Sequence, residues 1–314
     1  MSEIQFGISL WSQATAWDEF LAAARLVDQL GYDSLWTDDH LYSDQGAADQ
    51  SKFEAWTTLA AWAAVTERAK LGHLVVANTF RNPTVLAKIA VTVDHVSHGR
   101  CILGLGAGWF ALEHEAFGIE FGRSAGERLD WMDEAASMLR PLLAGQTLDH
   151  AGPRYQAVNL TLYPPPVQAR LPILIGGRGE RKTLRSVAKY ADFWHAPSMP
   201  LEELQRKTEV LHRHCEEVGR DPAEIQIVFS PPTFLIVRED RAKARRVYQE
   251  TLAYNRTPAD RYGDAAWWGS PEQLAGYFQP YIDAGVRSFI LDVLAPYDRE
   301  TIERFIGEVK PLLS

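Results

Sequence analysis

Residues 100–109 read RCILGLGAGW. An apolar run from Arg100 runs into the glycine turn Gly104-Leu105-Gly106-Ala107-Gly108. The spacing is near that of a dinucleotide fingerprint, which would place a Rossmann sheet here. The third glycine of that pattern falls on Trp109, however, and no strand ending in an acid comes at the usual distance. The glycines instead predict a strand end where backbone approaches a flat ligand closely.

Working outward, the same punctuation recurs. Strands are predicted at Ile4–Leu10, Ser34–Thr37, Leu71–Ala77, Arg100–Gly108, Leu171–Gly177, Ala191–His195, within IQIVFSPPTFLIV (225–237) and at Ser288–Val293. Helical periodicity fills the gaps at Asp18–Leu30, Glu54–Glu67, Pro83–Ser97, Ser124 to about Ala144, Glu180–Tyr190, Leu201 to about Gly219 and from Ser270. Ser124 with Glu127 forms a capping-box pattern, and Asp298 caps a terminal helix. Several strands are continuous apolar runs, as when helices cover both sheet faces. A doubly wound sheet and a closed (β/α)8 barrel both fit alternating units. The count of eight favours a single (β/α)8 TIM barrel over 1–314, with long insertions at the C-terminal face.

Composition narrows the function. The 314 residues are 46% hydrophobic and 23% charged, with a net charge of −9. That argues against a general nucleic-acid or anionic-membrane binder. Cys101 and Cys215 lack metal or disulfide spacing, and no secretory leader or membrane span is legible. A reducing, cytoplasmic setting is expected. His95 and His98 share a helix face without a third ligand, so no metal is expected.

A barrel places chemistry at the C-terminal strand ends. Those ends carry Asp39-His40, Asn78-Thr79, Gly106-Ala107-Gly108, Gly176-Gly177 and His195. Any one of them reads equally well as ordinary strand punctuation; the set on one rim reads better as a site. IGGRGERKTL (175–184) adds glycines ahead of a helix N-terminus, a pattern that suits a phosphate, with Arg178, Arg181 and Lys182 nearby. It falls on the fifth strand, whereas barrel phosphate sites usually lie after the seventh and eighth. Three excursions, 41–53, 109–123 and 254–268, hold Trp109, Phe110, Phe117, Phe121, Tyr254, Trp267 and Trp268. Aromatic loops at a barrel mouth either line an apolar pocket or pack the loops down.

The stretches GYDSLWTDDH (31–40), TFRNPTVLAKIAVTVDHVSHGRCILGLGAGW (79–109), LPILIGGRGERKTLRSVAKYADFWH (171–195) and WGSPEQLAGYF (268–278) resemble the luciferase-like superfamily, most closely its coenzyme F420-dependent oxidoreductases. The resemblance implies a hydride-transfer enzyme acting on a small organic molecule. An FMN-dependent two-component monooxygenase is the alternative, and a non-catalytic flavin- or deazaflavin-binding protein the second. It implies that Asp39 bonds the cofactor ring while His40 faces the hydride-transferring carbon. It also implies a non-proline cis peptide near Leu74-Val75. Val76, Ala77, Asn78, Gly106, Ala107 and Gly108 would line the ring and ribityl chain. Ile175, Gly176, Gly177, Arg178 and Gly179 would take the phosphate. The sugar-phosphate dehydrogenases of this family carry a catalytic glutamate directly after the glycine turn. Trp109 stands there instead, and Glu113, one helical turn later, is expected among the cofactor contacts. Candidate substrate contacts are Trp109, Trp194, His195, Trp267 and Trp268, and a homodimer is expected.

Overall fold

The computed structural model describes residues 3–261 and 267–313. Its strands and helices alternate as β1 (Gln5–Leu10), α1 (Trp17–Gln29), β2 (Ser34–Thr37), α2 (Ala55–Ala63), β3 (Lys70–His73), β4 (Val76–Ala77), α3 (Pro83–Val96), β5 (Cys101–Gly106), α4 (Ala111–Phe117) and α5 (Ala125–Leu142). A hairpin comes next, β6 (Leu148–Ala151) and β7 (Gln156–Leu160). Then come β8 (Ile173–Gly176), α6 (Thr183–Tyr190), β9 (Phe193–Ala196), α7 (Leu201–Val218), β10 (Gln226–Phe229), β11 (Leu235–Val237), α8 (Arg241–Tyr254), β12 (Trp267–Gly269), α9 (Pro271–Asp283), β13 (Ser288–Val293) and α10 (Arg299–Arg304).

The main sheet runs β3-β2-β1-β13-β10-β9-β8-β5-β4, and β3 also pairs with β5, closing the ring. Every pairing around it is parallel. With β3 and β4 as one interrupted strand, this is an eight-stranded (β/α)8 barrel. The interruption lies at Leu74–Val75, whose peptide bond is cis.

Alternation along the strands separates two cores. Trp36, Ile102, Leu174, Val228 and Ile290 fill the barrel interior. Their neighbours Leu35, Leu103, Ile173, Phe229 and Phe289 pack outward beneath the helices. Close strand approach demands glycine at two places. A Cβ on Gly104 would lie 1.8 Å from the His73 carbonyl oxygen, and one on Gly72 would lie 2.4 Å from the Trp36 ring.

The structure departs from the sequence reading where tertiary contacts intervene. The helix expected to reach Glu67 stops at Ala63. The Asp28 carboxylate accepts the amides of Glu67, Arg68 and Ala69 at 2.8–3.0 Å, holding that backbone away from helical bonding. The strand at 225–237 is two strands split at Pro231-Pro232. β10 joins the barrel, whereas β11 pairs with β12 outside it. Only half the capping box forms: Ser124 accepts from Glu127 N at 3.1 Å, but the Glu127 carboxylate accepts from Arg123 N. The β6–β7 hairpin and α8 were not anticipated. Both are largely exposed, so no strong apolar period announces them. The 254–268 excursion runs through 262–266, outside the described residues.

Candidate active site

A cavity of about 430 Å³ opens at the C-terminal rim of the barrel. It gathers Asp39 and His40 from the end of β2, Leu74 to Ala77 from the interrupted strand, and Gly106 to Trp109 from β5. Gly176 and Gly177 from β8 and His195 from β9 complete the strand contributions. Glycine keeps the floor low. A Cβ on Gly106 would sit 2.5 Å from Val75 Cγ2, and one on Gly176 would sit 2.9 Å from Val75 Cγ1.

Asp39 is almost fully buried. It accepts two bonds from Arg81, at 2.6 and 3.1 Å, and one from Ala77 N at 3.2 Å. Burial pushes its carboxyl up to about 6 although Arg81 pulls the other way. His40 turns to a different acid. Its Nδ1 lies 3.1 and 3.2 Å from the two Glu113 carboxylate oxygens, and Glu113 also accepts from Leu41 N at 2.9 Å. Burial alone would depress the imidazole. The Glu113 hydrogen bond and the charges of Asp44 and Asp38 outweigh it and raise His40 above the ordinary imidazole range. Trp109 and Phe110 stand edge-on to the His40 ring, with centroids 5.4 and 5.9 Å away.

His195 is the electrostatic opposite. It is buried, its Nε2 meets Ser230 Oγ at 2.9 Å, and burial lowers it to about 4. Burial therefore favours its neutral form, with one donor and one acceptor ring nitrogen. The barrel mouth thus holds one imidazole favoured towards its charged form and one favoured towards its neutral form.

The far end of the cavity is lined by a cation. Arg128 is 8% exposed and lines this wall with Thr183. Its guanidinium donates to the carbonyls of Gly108 and Phe121, and it has no carboxylate partner among the described residues. Beside it the first turn of α6 presents amides that have no intrahelical acceptor. Gly177 contributes shape rather than a donor. Its N–H bonds His195 O at 3.2 Å, its carbonyl accepts from Trp194 Nε1 at 2.8 Å, and its φ is +131°.

Residues 3–288 match the luciferase-like monooxygenase family model. The chain belongs to the luciferase-like monooxygenase family. An F420-dependent glucose-6-phosphate dehydrogenase of Microbacterium testaceum is 33% identical, over 97% of this chain and 96% of that one. The uncharacterized Mycobacterium bovis protein Mb0978c is 29% identical over 188 residues, 55% of this chain and only 65% of its own length. An F420-dependent secondary alcohol dehydrogenase, solved with an F420–acetone adduct, superposes with a TM-score of 0.83 over the whole of both chains, at 19% identity. That likeness is one of fold.

The structure places the other residues singled out in the sequence as follows. Trp194 is completely buried beneath the Gly177 turn and does not line the cavity. Trp267 packs on Tyr277 and Phe278, and Trp268 lies under Arg241, so neither reaches the cavity. Asn78 is buried and donates to Tyr155, and Ile175 belongs to the outer core. Arg178 turns away and donates to Ser198 O at 3.0 Å. Lys182 is held by Asp130 at 2.7 Å, so it adds no free charge to the phosphate loop. The Gly179 carbonyl accepts from Leu184 N at 3.0 Å.

The sequence reading missed Arg81, Arg128 and Thr183. Arg81 lies just after the third barrel strand, so a search for cations at strand ends would have found it. Arg128 lies buried at the N-terminal end of α5 with no local signal.

A second, more polar cavity of about 290 Å³ shares Leu74, His195 and Pro197 with the first. Asp38, Asp292, Arg178, Ser230 and Thr233 are among its lining residues. Asp38, His40 and Asp44 bring ligand-type atoms within 4.8 Å of one another, but Lys52 already pairs with Asp38 there. Asp292 accepts from Trp11 Nε1 at 3.1 Å, and burial raises its carboxyl to about 6. Its folded value lies above its unfolded one, so its contribution to stability is complete at low pH and is lost as pH rises towards 6. Asp292→Asn keeps an acceptor for Trp11. It should leave stability unchanged near pH 4 and raise it by about 1–3 kcal/mol above pH 7. Urea melts at the two pH values check this.

Proposed function

We propose that this chain is an F420-dependent oxidoreductase that moves a hydride between the deazaflavin and a small uncharged organic substrate. The carrying observation is that one cavity combines the His40–Glu113 pair, a glycine-flanked floor over Val75 and an unpaired Arg128 at its end. A flat ring with an anionic arm matches that shape and charge. When bound, the cofactor supplies the two-electron hydride donor or acceptor. Everything else falls to the protein. Asp39, fixed by Arg81, offers acceptor oxygens to the ring edge. His40 holds or moves the proton that accompanies the hydride, oriented through Nδ1 by Glu113. Arg128, Thr183 and the first turn of α6 take the phosphate.

The second cavity is the substrate chamber in this reading, with His195 and exposed Trp109 at its approach. Among the described residues its lining holds Asp38, which Lys52 pairs, Asp292 and one cation, Arg178, which donates to Ser198 O. A phosphorylated sugar would find no other cation in that lining; a neutral alcohol or carbonyl needs none. A homodimer and a cytoplasmic setting complete the proposal. Among the described residues no helix is long and apolar enough to cross a membrane, and Cys101 and Cys215 are buried and free.

Fluorescence titration of F420 and FMN side by side tests the cofactor. F420 should bind at least tenfold more tightly. Equal or tighter FMN binding overturns the assignment in favour of a flavin monooxygenase. Tight F420 binding without turnover of any alcohol or carbonyl would leave a binding protein.

A further inference from the structure

Glu113 faces one nitrogen of the His40 ring, and a second acid faces the other. Asp44, four residues after His40, places Oδ2 3.9 Å from His40 Nε2, and its side chain is 5% exposed. Oδ2 accepts from Gln45 Nε2 at 3.2 Å, whereas Oδ1 is buried with no hydrogen-bond partner among the described residues. Burying an acid with one oxygen unpaired is unfavourable, so other contacts must hold it there.

The backbone beside Asp44 supplies those contacts. Gln45 O accepts from Ser43 Oγ at 2.7 Å, from Gln13 Nε2 at 3.1 Å and from Gln50 Nε2 at 3.1 Å. Gln50 Nε2 also donates to Asn255 O at 3.0 Å, and Gln13 Nε2 donates to Asn255 Oδ1 at 3.4 Å. Gly46 follows at φ +71°, and a Cβ there would lie 2.2 Å from Asn255 O. The loop is thus fixed against the C-terminal end of α8 through groups other than the Asp44 carboxylate. That carboxylate is held in place without being used up.

The charged groups around it are His40, Asp38 and Lys52, with Glu113 on the far side of the imidazole and Asp292 on β13. Lys52 is paired with Asp38, and Asp292 accepts from Trp11. Burial raises the Asp44 carboxyl against the pull of His40 and Lys52, which brings it closer to an imidazole in proton affinity. Asp44 lines neither cavity, so it acts through His40 and not on the substrate.

We propose that Asp44 receives the proton that His40 takes up in each turnover. This role rests on the cofactor reading above. In alcohol oxidation the carbinol C–H bond breaks, and its electron pair leaves with the hydride for the deazaflavin. The hydroxyl proton goes to His40 Nε2, because Nδ1 is committed to Glu113. It then passes from Nε2 to the Asp44 carboxylate, leaving a neutral imidazole and a carboxylic acid. Carbonyl reduction runs the same transfers backwards. The 3.9 Å separation is about 1 Å longer than a hydrogen bond, as catalytic contacts often are before substrate closes them.

The test sets D44N and D44E beside wild type. In cofactor-free protein the His40 ring resonance, assigned by its loss in H40A, is followed by NMR across pH. D44N takes a carboxylate away from Nε2 and should move the His40 midpoint down; an unmoved midpoint overturns the proposal without involving the cofactor. With F420 and a secondary alcohol, D44N should keep its single-turnover rate of hydride transfer within a few-fold. Its steady-state turnover should fall by about 10²-fold and recover on addition of imidazole as a diffusible base. D44E keeps the acid and should retain most of the turnover. Equal losses in single-turnover and steady-state rates, no loss in either, or a D44E loss as large as that of D44N overturns the proton transfer and leaves the cofactor reading standing. Wild type that moves no hydride from any alcohol or to any carbonyl overturns the cofactor reading, and this role with it. Circular dichroism checks the fold, and D44S repeats both measurements where D44N does not fold.

Discussion

Replacing His40 with alanine should lower the rate of hydride transfer by ~10²–10⁴-fold while leaving F420 affinity within a few-fold of wild type. His40 lies at the end of β2 in the wall of the cavity, with Nδ1 committed to Glu113 and no bond to the anion-binding end. Its loss removes the proton carrier and not the cradle. Glu113→Gln isolates the electrostatic part. Glu113 helps hold the imidazole above its ordinary range against the depressing effect of burial. If an alcohol is oxidised, His40 must be neutral to accept the proton, so rate rises with pH through the His40 midpoint. Glu113→Gln removes one raising influence and should move that midpoint down. Stopped-flow absorbance of the deazaflavin across pH reads both effects. A His40→Ala variant that keeps its single-turnover rate would mean that the histidine is only part of the strand end.

Arg81→Met should destabilise the protein by about 3–5 kcal/mol at pH 8, because it leaves a buried carboxylate without its cation. Asp39 has 1% of its side chain exposed and takes both of its strongest bonds from Arg81. Already raised to about 6 by burial, its carboxyl rises further when Arg81 is gone. A raised folded value means that stability is kept at low pH and lost as pH increases. The damage should therefore shrink towards pH 4, where Asp39 is protonated in the folded chain and only partly ionised in the unfolded one. Adding Asp39→Asn should recover much of the loss at pH 8. Chemical denaturation at both pH values decides it. An equal loss at pH 4 and pH 8 would assign the effect to lost packing of the Arg81 stem rather than to charge.

The two residues of the Asp39-His40 pair have separate partners, a division that the stretch TDDH does not show. Adjacent residues on a strand end point to different sides, so one faces Arg81 from the loop after β4 and the other faces Glu113 on α4. The sequence shows the neighbours, and only the closed barrel supplies the partners. Glu113 illustrates the same point. Its displacement by one turn from the glycine turn looks like the loss of a catalytic glutamate, yet α4 folds back so that its carboxylate reaches His40.

The sequence by itself determined the alternation of strands and helices and the rim on which chemistry gathers. Both arise from local apolar period and from glycines that no other residue could replace, such as Gly104 against the His73 carbonyl. It also marked the two glycine turns that flank Val75. Tertiary structure decided which aromatics matter. Trp194, Trp267 and Trp268 carry the same side chain as Trp109, but only Trp109 stands in the wall of the cavity. It also decided which cations are free. Lys182 and Arg181 are adjacent in the chain, and α5 brings Asp130 to the first and, among the described residues, no carboxylate to the second. Whether an arginine binds a ligand depends on whether the fold has already neutralised it. That is set by residues far away in the sequence, which is why Arg128 became legible only once the helices were packed.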